Sequence, residues 1–209
     1  MRIKANLPTV PIHEIVFHPR DNDMIIATHG RSIWILDDAT PIQQLAEAQK
    51  SQAHLFDLRP AMQFNPANDR GFLADKGFWG KNPTYGAPIS YYLAAASSEV
   101  AIRVRDAQGA VVRELKGDAT KETGKAGVNR VYWDLRHEPL PRPAGQPQGP
   151  GGAGGPFGAA ALNGPHVLPG EYRMALVVGG KEVATKSLRV AGDLAVQMSD
   201  ADRKAWHDA

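Results

Sequence analysis

Cysteine is absent from the 209 residues, which excludes disulfides, thiolate metal ligands and a cysteine nucleophile. No apolar run reaches the roughly 18 residues of a membrane-spanning helix. The opening Met1-Arg2-Ile3-Lys4-Ala5-Asn6-Leu7-Pro8 lacks an apolar stretch and does not read as a signal peptide. Charge of one sign is also missing: 24 Lys and Arg against 22 Asp and Glu leave +2. The basic residues are scattered rather than striped, so no nucleic-acid partner is indicated. There is no Gly-x-Ser-x-Gly, no phosphate loop and no dinucleotide fingerprint after a strand. The glycine tract at Gly151 has no flanking strand and helix to hold it as a phosphate cradle. What is present is a 43% hydrophobic composition, enough for a packed core in one or two domains. Much of the excess in the 21 glycines and 16 prolines falls between Pro139 and Gly170.

The first forty residues predict short strands. Ile12 to Phe17 is β-rich and ends at His18-Pro19, because proline cannot donate to a ladder. Arg20-Asp21-Asn22-Asp23 is turn chemistry. Met24 to Thr28 and Ser32 to Leu36 follow, joined by His29-Gly30-Arg31. Both are almost continuously apolar, which predicts burial on two faces, as in stacked sheets. So short a segment cannot bury enough surface alone; something must pack against it. A helix comes next. Thr40 is placed to cap, Pro41 fits the first helical position and Gln43 completes a capping box. Ile42, Leu45 and Ala46 share one face of its body. Ala53 to Leu58 suggests an isolated strand, and Arg59 to Pro88 an ordered aromatic loop lying across a domain surface.

From Ile89 the strand pattern resumes. Val100 to Arg105 alternates, with Val100, Ile102 and Val104 inward. Asp106-Ala107-Gln108-Gly109 turns into Ala110 to Leu115. Val128 to Leu135 brings Trp133 as a core aromatic. Glu171 to Val178 and Lys181 to Val190 are closed by Gly179-Gly180 as a two-residue hairpin. Strands at this spacing predict an antiparallel β-sandwich. Ser199 to Trp206 opens like a capped helix.

Two resemblances arise from these residues. Asn6-Leu7-Pro8, Val10-Pro11-Ile12-His13, His18-Pro19-Arg20-Asp21-Asn22-Asp23 and Ala27 to Asp38 resemble the closing blade of a sialidase/BNR-like propeller. The similar group is the bacterial proteins with sortilin-type propellers, often labelled glycosyl hydrolases. The Asp-box pattern is not kept: Leu36-Asp37-Asp38-Ala39-Thr40-Pro41 retains only the aspartate, so that loop adds nothing to a sugar-hydrolase assignment. Val100 to Leu115, Gly127 to Asp134 and Pro169-Gly170-Glu171-Tyr172 resemble the immunoglobulin-like domain of flagellar hook-capping proteins, which follows the propeller in the sortilin-like group.

The resemblance implies a mainly β fold. On this resemblance residues 1–38 are expected to form the last blade of an incomplete propeller, 39–50 a bracing helix and 51–88 a connecting loop. Residues 89–192 are expected to form the immunoglobulin-like sandwich, with a flexible insertion at 137–165, and 193–209 the start of a helical tail. It further implies a C-terminal part of a longer, exported protein. A propeller has about four to eight blades, so the partners implied are the upstream blades, with another protein or a glycan as the ligand. The expected role is non-catalytic; the alternative is a fragment of a glycoside hydrolase whose catalytic residues lie upstream. No catalytic residue, metal or cofactor is assigned.

Four residues are candidates for ligand binding. On a hairpin at a propeller rim, His29 and Arg31 are able to clamp a carboxylate, Arg31 bidentately. The alternative is that Gly30 makes the turn and Arg31 pairs with Asp37 or Asp38. Asp38 offers half of a carboxylate pair for glycoside hydrolysis. Adjacent strand residues point oppositely, however, and a turn or cap also uses acids. Trp79 is placed to stack on a sugar or to seal the sandwich. His13 and His18, five apart on a strand and turn, face different ways. With His29, Asp21 and Asp23 they do not make a metal site, since no helical His-x-x-x-His pair exists.

Overall fold

A computed structural model describes residues 6–64, 84–117, 123–139 and 163–208. Trp79, residues 65–83 of the aromatic stretch and residues 140–162 of the Gly/Pro-rich segment lie outside the described residues. The fold is mainly β, with several antiparallel sheets and a short C-terminal helix. Among the described residues no helix is long and apolar enough to cross a membrane.

Strands β1 (Ile12–Phe17), β2 (Met24–Thr28) and β3 (Ile33–Leu36) form an antiparallel meander with β2 central. The three strands lie where the apolar runs predict them; their burial does not follow the prediction. Met24 and Ile26 are buried with Ala39, against Leu7 and Trp34. Ile33 and Ile35, on the other face of β3, are 67% and 61% exposed. Two-sided burial is therefore not met among the described residues. A strand apolar on both faces needs two covering layers, and this sheet has one small cluster on one side.

The predicted single helix is two short turns, α1 (Thr40–Gln43) and α2 (Leu45–Ala48), broken at Gln44 with φ −98° and ψ 3°. The capping box does not form. Asp38 Oδ1 accepts from the Thr40 backbone N–H at 3.2 Å, and Gln43 instead exchanges amide hydrogen bonds with Asn22 at 3.0 and 3.1 Å. A tertiary partner outcompetes the local cap.

The sandwich packs a five-stranded sheet, ordered β5-β11-β10-β7-β8, on a three-stranded sheet, β4-β6-β9. Its strands are β4 (Ala53–Leu55), β5 (Ala61–Gln63), β6 (Ala87–Leu93), β7 (Val100–Arg105), β8 (Val111–Gly117), β9 (Gly127–Trp133), β10 (Gly170–Val178) and β11 (Lys181–Gly192). Two expectations are corrected. The strand at Ala53 is not isolated but pairs with β6, so the sandwich draws on residues well before Ile89. Nor is pairing wholly antiparallel, because β5 lies parallel to β11. No alternation marks either three-residue strand; only their neighbours' open edges recruit them.

Alternation decides the core elsewhere. Val100, Ile102 and Val104 point inward, as expected, beside Ile89, Tyr91, Met174 and Leu176. Trp133 is 0% exposed; its Nε1–H donates to the Arg136 carbonyl at 2.9 Å, and its ring meets Tyr172 edge-on at 5.3 Å. The Tyr172 hydroxyl donates to the Leu168 carbonyl at 2.6 Å. This pins the Pro169-Gly170 turn as a tyrosine corner does in immunoglobulin-type sandwiches. Gly179 and Gly180 close the β10–β11 hairpin with φ of 56° and 77°, the two positive values a type I′ turn requires. On the outer face Arg103 pairs with Glu114 and Glu182, and Arg105 with Glu182. Arg103 stands opposite Ala175, and Glu182 opposite Val177. The aliphatic stems of these charged residues help keep that face of β10 dry.

Helix α3 (Asp200–Asp208) begins as predicted. Ser199 Oγ accepts from the Asp202 N–H at 3.1 Å and donates to its carboxylate at 2.6 Å.

Candidate functional site

Three places hold the polar side chains of interest. The first is the β2–β3 tip. Gly30 and Ser32 take φ of 70° and 65° there. Thr28 Oγ1 donates to the Ser32 carbonyl at 2.6 Å, and Trp34 Nε1 to the Arg31 carbonyl at 2.8 Å. The turn is thus held by the Thr28 and Trp34 side chains on its own carbonyls, with Gly30 in a conformation that suits it. Arg31 is exposed and, among the described residues, pairs with neither Asp37 nor Asp38. The structure joins His29 to His13 instead: His29 Nδ1 and His13 Nε2 are 2.8 Å apart. His18 sits at the opposite end of β1, accepting from the Asp21 N–H at 3.2 Å. Among the described residues no group of three or more acids and histidines is placed to hold a metal ion.

The second place is the joint between the small sheet and the sandwich, and it uses Asp38. This residue is 4% exposed, with φ of 56°. Its N–H donates to Asp23 Oδ1 at 2.9 Å while its own carboxylate serves Thr40. Arg59, in the loop after β4, binds Asp23 at 3.0 Å and the Asp21 carbonyl. Arg130 of β9 donates through Nε to Ser90 Oγ at 3.0 Å, and through both terminal nitrogens to the Asp37 carbonyl at 3.2 Å. Farther along, Asp57 accepts from Gln44 and Lys186, both at 2.6 Å. The Lys186 hydrogen bond, then that of Gln44, holds the Asp57 carboxyl below the usual range. Asp38 is thus a turn and joint residue, with its carboxylate turned to the chain's own backbone. Among the described residues it contacts neither His29 nor Arg31, and the acid beside it, Asp23, accepts its backbone N–H and pairs with Arg59.

A third place carries no sequence motif. At the end of the sandwich, beneath α3, lies an open groove of about 600 Å³. Phe64, Val167, Leu168, Val196 and Met198 supply apolar walls, and Tyr85, Arg136, His166 and Arg203 supply polar groups. Tyr85 meets His166 edge-on at 6.2 Å. Its hydroxyl is buried without a hydrogen-bond partner among the described residues, and burial pushes its pKa up. Arg136 is fixed through Nη1 to the Gly164 carbonyl at 2.9 Å, and Arg203 through Nη2 to the Val196 carbonyl at 2.9 Å. At the groove's edge His137 and His207 bring their Nε2 atoms to 3.3 Å. Burial first, then His207, lowers the His137 pKa.

The sequence does not point to this groove, because its residues come from five separated segments. Apart from Arg203 and His207 of α3, they lie near the ends of strands, where an aromatic-glycine pair, Tyr85-Gly86, enters β6. A Cβ on Gly86 would come within 2.1 Å of the Trp133 carbonyl oxygen. That close approach brings the β6 entry, and Tyr85 with it, against the loop that carries Arg136.

No family model matches the chain, and neither a curated protein nor a solved structure does. The likeness to sortilin-type and hook-capping proteins therefore stands on the residues quoted for it.

Proposed function

We propose that the chain is a non-catalytic docking and support module. In this proposal the β1–β3 sheet is the last blade of a propeller and seats against upstream blades of the same, exported protein. The sandwich braces that blade and faces a protein or glycan partner. One observation carries the proposal. On the face away from Ala39, register places Val16, Ile25 and Ile35 side by side, with Ala27 beside Ile33 in the next row. Val16, Ile33 and Ile35 are all exposed on it. A continuous apolar face across three strands suits packing against another sheet rather than water. The likeness of residues 1–38 to a closing blade supports the same occupant, and the Arg59 and Arg130 contacts suit a rigid brace.

Hydrogen exchange tests the proposal. Fused behind a sortilin-type propeller lacking its final blade, β1 and β3 are expected to gain protection that Ile33→Asp with Ile35→Asp removes. No gain on fusion, in a chain whose sandwich stays protected, overturns the docking role. A glycosidase substrate panel is expected to show no turnover by the chain; turnover abolished by Asp38→Asn overturns the non-catalytic assignment.

A further inference from the structure

We infer that the groove beneath α3 binds a small carboxylate with an apolar body. The site shares no residue with the β1–β3 face, and its chemistry follows from three features. Its size, about 600 Å³, falls among small-molecule sites, which combine apolar walls with a few fixed polar groups. Its charge is cationic: Arg136 and Arg203 line it, and Asp193 is the one acid among the described lining residues. Asp193 Oδ1 already accepts from the Ala195 N–H at 2.9 Å.

Each guanidinium spends one N–H on a backbone carbonyl, Gly164 for Arg136 and Val196 for Arg203. That contact orients the planar fork, and its other N–H groups are what a carboxylate engages bidentately. Close packing adds to the placement of Arg203, because a Cβ on Gly192 would lie 3.2 Å from its Cζ. The third feature is the Tyr85 hydroxyl, buried without a partner among the described residues. Buried polar groups in folded proteins are nearly always hydrogen-bonded, so an orphan beside an open groove marks where a further acceptor belongs. A carboxylate oxygen is such an acceptor, which in this proposal the covered hydroxyl meets by a small rotation of the Tyr85 ring toward the groove. Phe64 and Met198, exposed at the rim, would cover the apolar body of the ligand.

The test uses 2-naphthoate and its neutral isostere 2-naphthamide on the 209-residue chain, by calorimetry and amide chemical-shift mapping. Naphthoate is expected to shift Tyr85, Arg136, Val167 and the start of α3, and to bind about tenfold or more tighter than the amide. Arg203→Gln is expected to remove that discrimination. Tyr85→Phe, which deletes one oxygen, is expected to weaken naphthoate several-fold with the sandwich's unfolding midpoint unchanged. Equal affinities for acid and amide overturn the inference, as does full naphthoate affinity in both variants. Shifts confined to the β1–β3 face also overturn it, while leaving the docking proposal intact.

Discussion

The sandwich and the β1–β3 sheet draw on the same residues, isoleucine, valine and tryptophan, and treat them oppositely. In β7 every second residue is apolar and buried, and the arginines between pair with Glu114 and Glu182. In β3 four apolar residues run together, and three of the four are exposed. Apolar content alone therefore does not make a core. A strand that alternates is complete with one partner sheet, whereas a strand apolar on both faces needs two. The joint at Asp38 shows the same contrast in polar form, since the small sheet's turns are tied down by Arg59 and Arg130 from the sandwich side.

The largest effect that separates the two regions is expected from Trp133→Ala. Truncating this buried ring costs about 3–5 kcal/mol and should broaden or abolish the sandwich's cooperative urea transition. Ile26→Ala, central in the small sheet, is expected to cost nearer ~2 kcal/mol and to raise exchange in β1–β3 only. Equal effects of the two on the sandwich transition would make the regions one unit. Next comes Gly86→Ala. Its φ of 115° and the close Trp133 carbonyl predict a loss of about 1–3 kcal/mol, read as a lowered thermal midpoint.

Arg59→Ala is expected to cost about 1–2 kcal/mol through the joint's hydrogen bonds. The effect should appear as faster exchange in the β1–β2 turn, with β7 and β10 unchanged. Glu182→Gln is smaller. Hydrogen bonding to Arg105, then burial opposed by the charges of Arg105 and Arg103, leaves the Glu182 carboxyl below its ordinary value. The ionised form is favoured on folding, so its contribution is present above a pH of about 4.3 and is lost as pH falls through the depressed folded value. Denaturation curves of the parent and of Glu182→Gln should therefore differ at pH 7 and converge under acid. A gap between them that persists at low pH would show that charge is not its source. Smallest is Ile33→Ser with Ile35→Ser. Both sites are exposed, so stability is expected to move by no more than about 0.5 kcal/mol, even as the proposed docking to a partner sheet is lost.

The fold is largely readable where a local pattern has a single interpretation. The alternation of β7, the Gly179-Gly180 turn and the Ser199 cap each act within a few residues, and each is found. Strands β4 and β5 are not readable as sandwich strands, because three residues carry no period and their pairing is set by edges far away in sequence. The Thr40 capping box fails for a related reason: its rival, the Asn22–Gln43 pair, reaches back to the β1–β2 turn. Of the candidate residues, His29 and Arg31 sit on an exposed tip, Asp38 is buried in the joint, and Trp79 lies outside the described residues.

By itself, then, the sequence determined the positions of the longer strands, the identity of the aromatic core around Trp133, and the exclusion of thiol chemistry. These depend on periodicity, side-chain size and composition, which are properties of neighbouring residues. Tertiary structure alone decided which apolar faces are covered, that Asp38 serves a joint, and that Tyr85, Arg136 and Arg203 meet around one groove. Each of those depends on chain segments brought together across tens of residues, and no local spacing encodes that distance.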